Sequence, residues 1–435
     1  MGARMLRAVG PAADDPILAA AALARTATGD YILVEGPDGI RFAEEPAAVV
    51  TATREGISLT GAPSVLPEGP RRWEGFDLAR LPEVFETVPI SEPNWYGWCG
   101  FSAAVPSAAA DGETLVHAAT YRREVHLTAD RTTFLGLGPD DLVAATERFK
   151  QTEPEEAAGT VTAVDVETGR GAYEATVKQA LTRVRGTNLR KVIVSRRVEV
   201  PFPVDVPRTY LAGRRVNTPA RSFCLRTGEL EATGFPPETV AEVDADGTVR
   251  IMPLAGTRAL TGDPVRDEAL RTELLTDPKE VYEHCVSVQS ALDDLSAVCS
   301  PESLEVREFM AVKRRGSVQH LGSVVRGRLA GGRTPWDAFK SAFPAVTASG
   351  IPRDVSLAAI VDLENSPRDL YSGAVFVQRE DGSLDSALVL RSVYSSGGRC
   401  WIRAGAGIVP QSEPRREFIE TCEKLASVSR SIVRA

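Results

Sequence analysis

No stretch of this chain approaches the roughly 18 apolar residues of a membrane span, and the run Ile17 to Leu23 is short and follows Asp14-Asp15-Pro16 rather than the basic start of a secretory signal. Cysteine is sparse: the six residues at 99, 224, 285, 299, 400 and 422 form no CxxC pair and no dense framework, so reduced thiols are the simpler reading. There is no fixed-period repeat and no low-complexity tract, which excludes a solenoid or a tail. Positive charge is not in excess either. A net charge of -9 with both signs interspersed argues against a nucleic-acid surface. These absences point to a cytoplasmic protein that binds neither membrane nor nucleic acid. What remains is ordinary globular usage, 43% hydrophobic and 25% charged, so the chain can build a core.

Two acidic clusters carry most of the information: Lys279-Glu280-Val281-Tyr282-Glu283-His284, and Glu413 to Glu420 continuing to Lys424. Pro278 and Pro414 suit the first turn of a helix, and Asp277 and Ser412 are candidate caps before it. Glu280 and Glu283 are three apart, as are Glu417 and Glu420, so each pair shares one helix face and can direct two carboxylates at one point. Four converging carboxylates need a cation, and a hard ion such as Mg2+ suits oxygen donors and an anionic substrate. Solvated helix faces are the alternative.

Beyond the polar connection at 151–160, Tyr173 to Val184 reads as a helix and Lys191 to Ser195 as a strand, closed by Pro201 and Pro203. Turn residues at Asp244–Gly247, Glu380–Gly382 and Ser396–Gly398 predict hairpins, so much of the sheet should be antiparallel in a mixed α+β fold. Gly405-Ala406-Gly407 is predicted as a turn between two short strands, either a simple tight turn or one whose N–H groups approach an anion. Arg391, read as lying inside the strand Leu388–Tyr394, needs a partner, and a protein acid or a substrate acid would serve. Lys191 heads an apolar strand, where desolvation could make it a general base or exposure a mere gatekeeper. Glu238, after Gly234-Phe235-Pro236-Pro237, could donate a proton from a rigid turn or act as a helix-terminal charge. His320 is one of four histidines, structural or catalytic.

Taken together, Pro253–Arg258 (PLAGTR), Lys279-Glu280-x-x-Glu283-His284, Phe343–Pro352, Leu370-Tyr371-Ser372-Gly373 and Arg403–Val409 occur in the order typical of chorismate-utilising enzymes, a family that the chain resembles closely over 190–430. Within it the resemblance is greatest to the mycobactin-pathway salicylate synthases, including Arg214-Arg215-x-Asn217-Thr218-Pro219 and the run Gly316 to Ser323. The resemblance implies layered antiparallel sheets flanked by helices, read as one enzyme domain over 1–435 with a variable part (1–170) and a catalytic core (171–435). It implies a Mg2+-dependent conversion of chorismate through isochorismate to salicylate and pyruvate, serving a siderophore or other aryl-capped metabolite. Isochorismate release is the competing activity; amination to anthranilate and a silent chorismate-binding paralogue are the lesser ones.

The implied metal shell is Glu280, Glu283, Glu417 and Glu420. Lys191 would be the base and Glu238 the acid, with His320 near the ring. Gly256, Thr257, Thr347, Tyr371, Arg391, Gly405, Gly407 and Lys424 would bind substrate. Lys191 favours water as nucleophile, and Ala255 stands where aminodeoxychorismate synthases usually carry lysine. Pro236 departs from the family's usual serine before Pro-Glu. A monomer without an amidotransferase subunit is expected.

Overall fold

A computed structural model describes residues 3–153, 159–315 and 318–435. The middle of the 151–160 connection and Gly316-Ser317, which open the Gly316–Ser323 run, lie outside the described residues.

Strand pairing is antiparallel almost throughout. One wing runs in order through the strands Lys191–Val200, Arg399–Ile408, Ser392–Ser396, Leu230–Gly234, Ser222–Thr227 and Tyr31–Gly36. The long strands Gly39–Thr53 and Val116–Leu127 carry the pairing onward to Trp95–Cys99 and a second wing. That wing continues through Ala374–Gln378, Leu384–Leu388, Thr239–Val243, Thr248–Ile251 and Val318–Arg328. The wings face each other across an aromatic core in which Phe223, Tyr394 and Trp401 of the first meet Tyr96, Trp98 and Val375 of the second. Strands buried on both faces read as near-continuous apolar runs, as Tyr31–Val34 does.

Helices cover the outer faces. Arg170–Gly186 and Arg353–Leu363 pack on Val192 and Val194 of the first wing, while Pro335–Ala342 and Pro278–Ser296 pack on Val240, Val249 and Val325 of the second. The apolar run Ile17–Leu23 lies in a helix, Pro16–Thr26, docked through Leu18 and Leu23 on that first wing. All three predicted hairpins form. None of the six cysteines is in a disulfide, and among the described residues no helix is long and apolar enough to cross a membrane.

Candidate active site

The two acidic clusters begin the helices Pro278–Ser296 and Pro414–Ser429. Asp277 caps the first, accepting from the backbone N–H of Lys279 (2.9 Å) and Glu280 (3.3 Å). Ser412 does not cap the second: Glu413 is the cap residue, and the Ser412 hydroxyl instead accepts from Val409 N–H and donates to the Gly407 carbonyl. That bond ties the helix entry to the glycine strand.

The glutamates are not solvated faces. Glu280 and Glu417 are buried, and each of the four carboxylates meets its own cation: Glu280 with Arg258 at 3.1 Å, Glu283 with Lys191 at 2.9 Å, Glu417 with Lys279 at 3.1 Å and Glu420 with Lys424 at 2.9 Å. Burial, and then the neighbouring Glu420, push Glu417 up to about 7. Burial also raises Glu420, but Lys424 and Lys279 outweigh it and hold that carboxylate well below its usual range. Glu280 is raised by burial and by Glu283 and Glu420, with Lys279 opposing. Such mutual repulsion is the mark of carboxylates aimed at one region.

The donor set fits a hard divalent cation. It consists of crowded carboxylate oxygens, and Glu417 Oε2 is buried without a hydrogen-bond partner. Among the described residues no three His, Cys, Asp or Glu side chains are grouped closely enough to hold a metal ion as they stand; each of the four carboxylates is engaged with a lysine or arginine instead.

Glu280, Glu283 and Glu420 open onto a cleft of about 790 Å³ that is also lined by Glu238, Gly256, Thr257, His320, Thr347, Tyr371, Arg391, Gly405, Gly407 and Lys424. Of the other sequence-selected residues, Glu417 reaches this group through Lys279, and Lys191 reaches it through Glu283. The fold thus gathers the whole selected set. Lys191 is 1% exposed, so it is no gatekeeper, but its ammonium ends on Glu283 and within 3.4 Å of Ser287 Oγ rather than in apolar surroundings.

Glu238 sits on the turn before the strand Thr239–Val243, not at a helix start. Burial pushes it up to about 7, against hydrogen bonds from the Thr347 hydroxyl (3.1 Å) and Leu254 N–H (3.3 Å). Arg391 is not inside a strand. It occupies the break between Leu384–Leu388 and Ser392–Ser396 with a φ of 51°, a left-handed conformation that a non-glycine residue holds only when its surroundings enforce it. Its guanidinium donates to His320 Nε2 at 3.0 Å. Because arginine only donates, Nε2 is the acceptor, and the His320 proton is assigned to Nδ1, which faces Thr257 Oγ1 (3.0 Å) and the Gly256 carbonyl (3.3 Å).

Gly405-Ala406-Gly407 is not a turn but the end of one continuous strand, Arg399–Ile408. Its partners Ser195 and Ile193 direct their N–H groups away, to Glu364 Oε1 and the Ser349 carbonyl. In an antiparallel ladder the opposed glycines must then also turn their polar groups outward. The neighbouring strand's pairing stops at Ile402, and the Gly405 carbonyl accepts from Lys424 Nζ at 2.9 Å. The glycines are needed for space. A Cβ on Gly407 would lie 2.6 Å from Glu283 Oε1, and one on Gly405 2.8 Å from the Val194 carbonyl.

Sequence reasoning missed Ile193, Ala348, Leu390 and Arg403 in the lining, and the cations Lys279 and Arg258. The last two adjoin selected residues in the quoted motifs, and their charge was the available signal.

The chorismate binding enzyme profile matches residues 30–430. The chain is 48% identical over 267 residues to a salicylate synthase of Mycolicibacterium paratuberculosis, covering 61% of this chain and 59% of that protein. It is 34% identical over 263 residues to anthranilate synthase component 1 of Bacillus subtilis, covering 60% and 51%. These alignments thus span between half and six-tenths of the curated relatives. The fold is shared with anthranilate synthase component I of Streptococcus pneumoniae (TM-score 0.75, 22% identity, 93% of each chain). It is shared equally with the menaquinone-specific isochorismate synthase of Escherichia coli (TM-score 0.73, 21% identity, 99% and 96% covered).

Proposed function

Because the chain belongs to the chorismate binding enzyme family, we propose that it is a salicylate synthase, converting chorismate through isochorismate to salicylate and pyruvate. The observation that carries this reading is a buried lysine, held on the cleft carboxylate Glu283, together with a buried carboxylic acid in the cleft lining that is pushed up to about 7. Two titratable groups with opposed tasks are what a hydroxyl exchange across an allylic system requires.

In the first step Lys191 takes a proton from a water attacking C2, the double bond shifts, and the C4 hydroxyl leaves as water with the proton from Glu238. Thr347 and Leu254 N–H both donate to Glu238 Oε2, which leaves Oε1 as the oxygen to carry the proton. Tyr371, Arg391 and the outward N–H groups of Gly405 and Gly407 hold the enolpyruvyl carboxylate. His320 orients Arg391 through Nε2. In the second step hydrogen passes from C2 to the enolpyruvyl methylene as the C3–O bond breaks, giving salicylate and pyruvate; here the cleft chiefly supplies conformation and electrostatics. Mg2+ is the cofactor of this reading: Glu280, Glu283, Glu417 and Glu420 would hold it, and when bound it supplies a Lewis-acidic anchor for the ring carboxylate.

The test is chromatography of products from purified protein given chorismate and Mg2+. Salicylate and pyruvate in equal amounts are expected, also from added isochorismate. Isochorismate that accumulates without salicylate would reassign the chain to isochorismate synthase, and ammonia-dependent anthranilate would overturn water as the nucleophile.

A further inference from the structure

An ion network that the mechanism above does not use reaches the cleft wall through Arg403. The side chains of Glu364, Arg368 and Arg403 are 3%, 2% and 2% exposed. Glu364 Oε1 accepts from Arg368 Nη2 at 2.6 Å, and Oε2 accepts from Arg368 Nε at 3.0 Å and Arg403 Nη2 at 2.5 Å. Two guanidinium groups thus share one carboxylate, leaving one positive charge in surplus. Asp369, the further acid that senses Arg403, stands at the surface. Charges are rarely buried without a matching partner, so the surplus asks for an anion.

The network also ties together the segments that bear the proposed machinery. Arg368 donates to the carbonyls of Ile193 (2.8 Å), two residues beyond Lys191, and Ala348 (2.7 Å), next to Thr347. Arg403 lies two residues before Gly405 in the same strand and donates to Ser195 Oγ (2.7 Å) and the Pro367 carbonyl (2.5 Å). Both guanidinium groups lie over the Tyr371 ring, at 5.7 and 5.8 Å from its centroid. Tyr371 is flanked by Asp369 and Ser372, both at positive φ (52° and 64°), a strained turn that these bonds hold in place.

We propose that Arg368, Glu364 and Arg403 are a positioning unit for the chorismate reaction, in which Arg403 supplies the surplus charge that favours the substrate's enolpyruvyl carboxylate and Arg368 fixes the segments carrying Lys191 and Thr347. The proposal rests on the chorismate reading. It divides the two arginines by effect. Removing either one leaves a neutral pair, which a folded interior tolerates better than an orphaned charge.

Steady-state kinetics of Arg403→Met, Arg403→Lys and Arg368→Met test it, with thermal unfolding of each. Arg403→Met is expected to raise KM for chorismate by about tenfold or more with kcat changed less, and Arg403→Lys, which keeps the charge, to restore most of it. Arg368→Met is expected to lower kcat by about tenfold with KM little changed. Should Arg403→Met not fold, Arg403→Gln carries the same charge test with hydrogen bonding retained. An unchanged KM in the charge-removing variant, or an Arg403→Lys as impaired as Arg403→Met, overturns the proposal, because a purely structural network would lower the active fraction without moving KM. Turnover of chorismate by the unaltered protein is the separate arm that tests the parent reading.

Discussion

Lys191 Nζ lies 2.9 Å from Glu283 Oε1, so the residue assigned as base is paired with a carboxylate assigned to the metal shell. An ammonium held in an ion pair has no lone pair to offer. On the proposed reading the base must be the neutral amine, so a Glu283 engaged with a bound cation instead would favour that role and would link the acidic cluster to the base. The same doubling recurs at Glu420, whose partner Lys424 also holds the Gly405 carbonyl.

Lys191→Ala should reduce isochorismate formation from chorismate by at least about 100-fold, the scale of general base catalysis, while chorismate affinity by calorimetry stays within a few-fold. A variant that forms isochorismate at a near-normal rate would remove Lys191 from the role of base.

Glu238 is pushed up from 4.5 to about 7, so the folded protein holds this proton more tightly than the unfolded chain does. The stability it contributes is complete below the unfolded value and is lost as pH rises through 7, by up to about 3 kcal/mol. Glu238→Gln, whose amide oxygen can accept the same bonds from Thr347 and Leu254, should therefore gain stability relative to the parent at pH 8 compared with pH 5. Denaturant unfolding at the two pH values checks the sign. The variant should also lose conversion of chorismate more severely than conversion of added isochorismate, since only the former expels a hydroxyl.

Glu417→Gln should weaken Mg2+ binding, read by calorimetry, by about tenfold or more through loss of one charged oxygen ligand, and excess chelator should abolish turnover by the parent. Because burial and Glu420 raise Glu417 above its usual range, its contribution to stability is likewise lost as pH rises above that range. The metal-free variant should then be no less stable than the parent at pH 8. Full turnover in chelator would sink the metal assignment.

Gly407→Ala places a methyl group 2.6 Å from Glu283 Oε1 and 3.2 Å from Lys191 Cε. Overpacking of this kind costs about 1–3 kcal/mol. The Lys191–Glu283 pair must shift to relieve it, so kcat should fall by about tenfold or more. Equal kinetics in variant and parent would show that this pair tolerates displacement.

The mixed antiparallel fold was legible from turn residues and apolar strands, whereas the membership of the site was legible only through the resemblance of its motifs to a family. Pro278 after Asp277 starts a helix wherever it occurs, and that helix fixes Glu280 and Glu283 on one face. Three local expectations fail, two of them for the same reason. Arg391 and Gly405-Ala406-Gly407 are set by distant partners, since His320 meets the Arg391 guanidinium and the Lys191 strand extends the pairing through both glycines, whereas the Ser412 hydroxyl is claimed by Gly407 and Val409 just before it.

The sequence by itself determined the helix starts, the hairpins and the spacing of the carboxylates, because each depends on backbone preferences or side-chain chemistry within a few residues. Tertiary structure alone decided which cation faces which carboxylate, that Glu238 is buried deeply enough to hold its proton near neutral pH, and that Glu364 lies between Arg368 and Arg403. Those outcomes follow from desolvation and from Coulomb interactions between residues far apart in the chain, 138 positions for Lys279 and Glu417, and such energies exist only once folding has excluded water and brought the charges together.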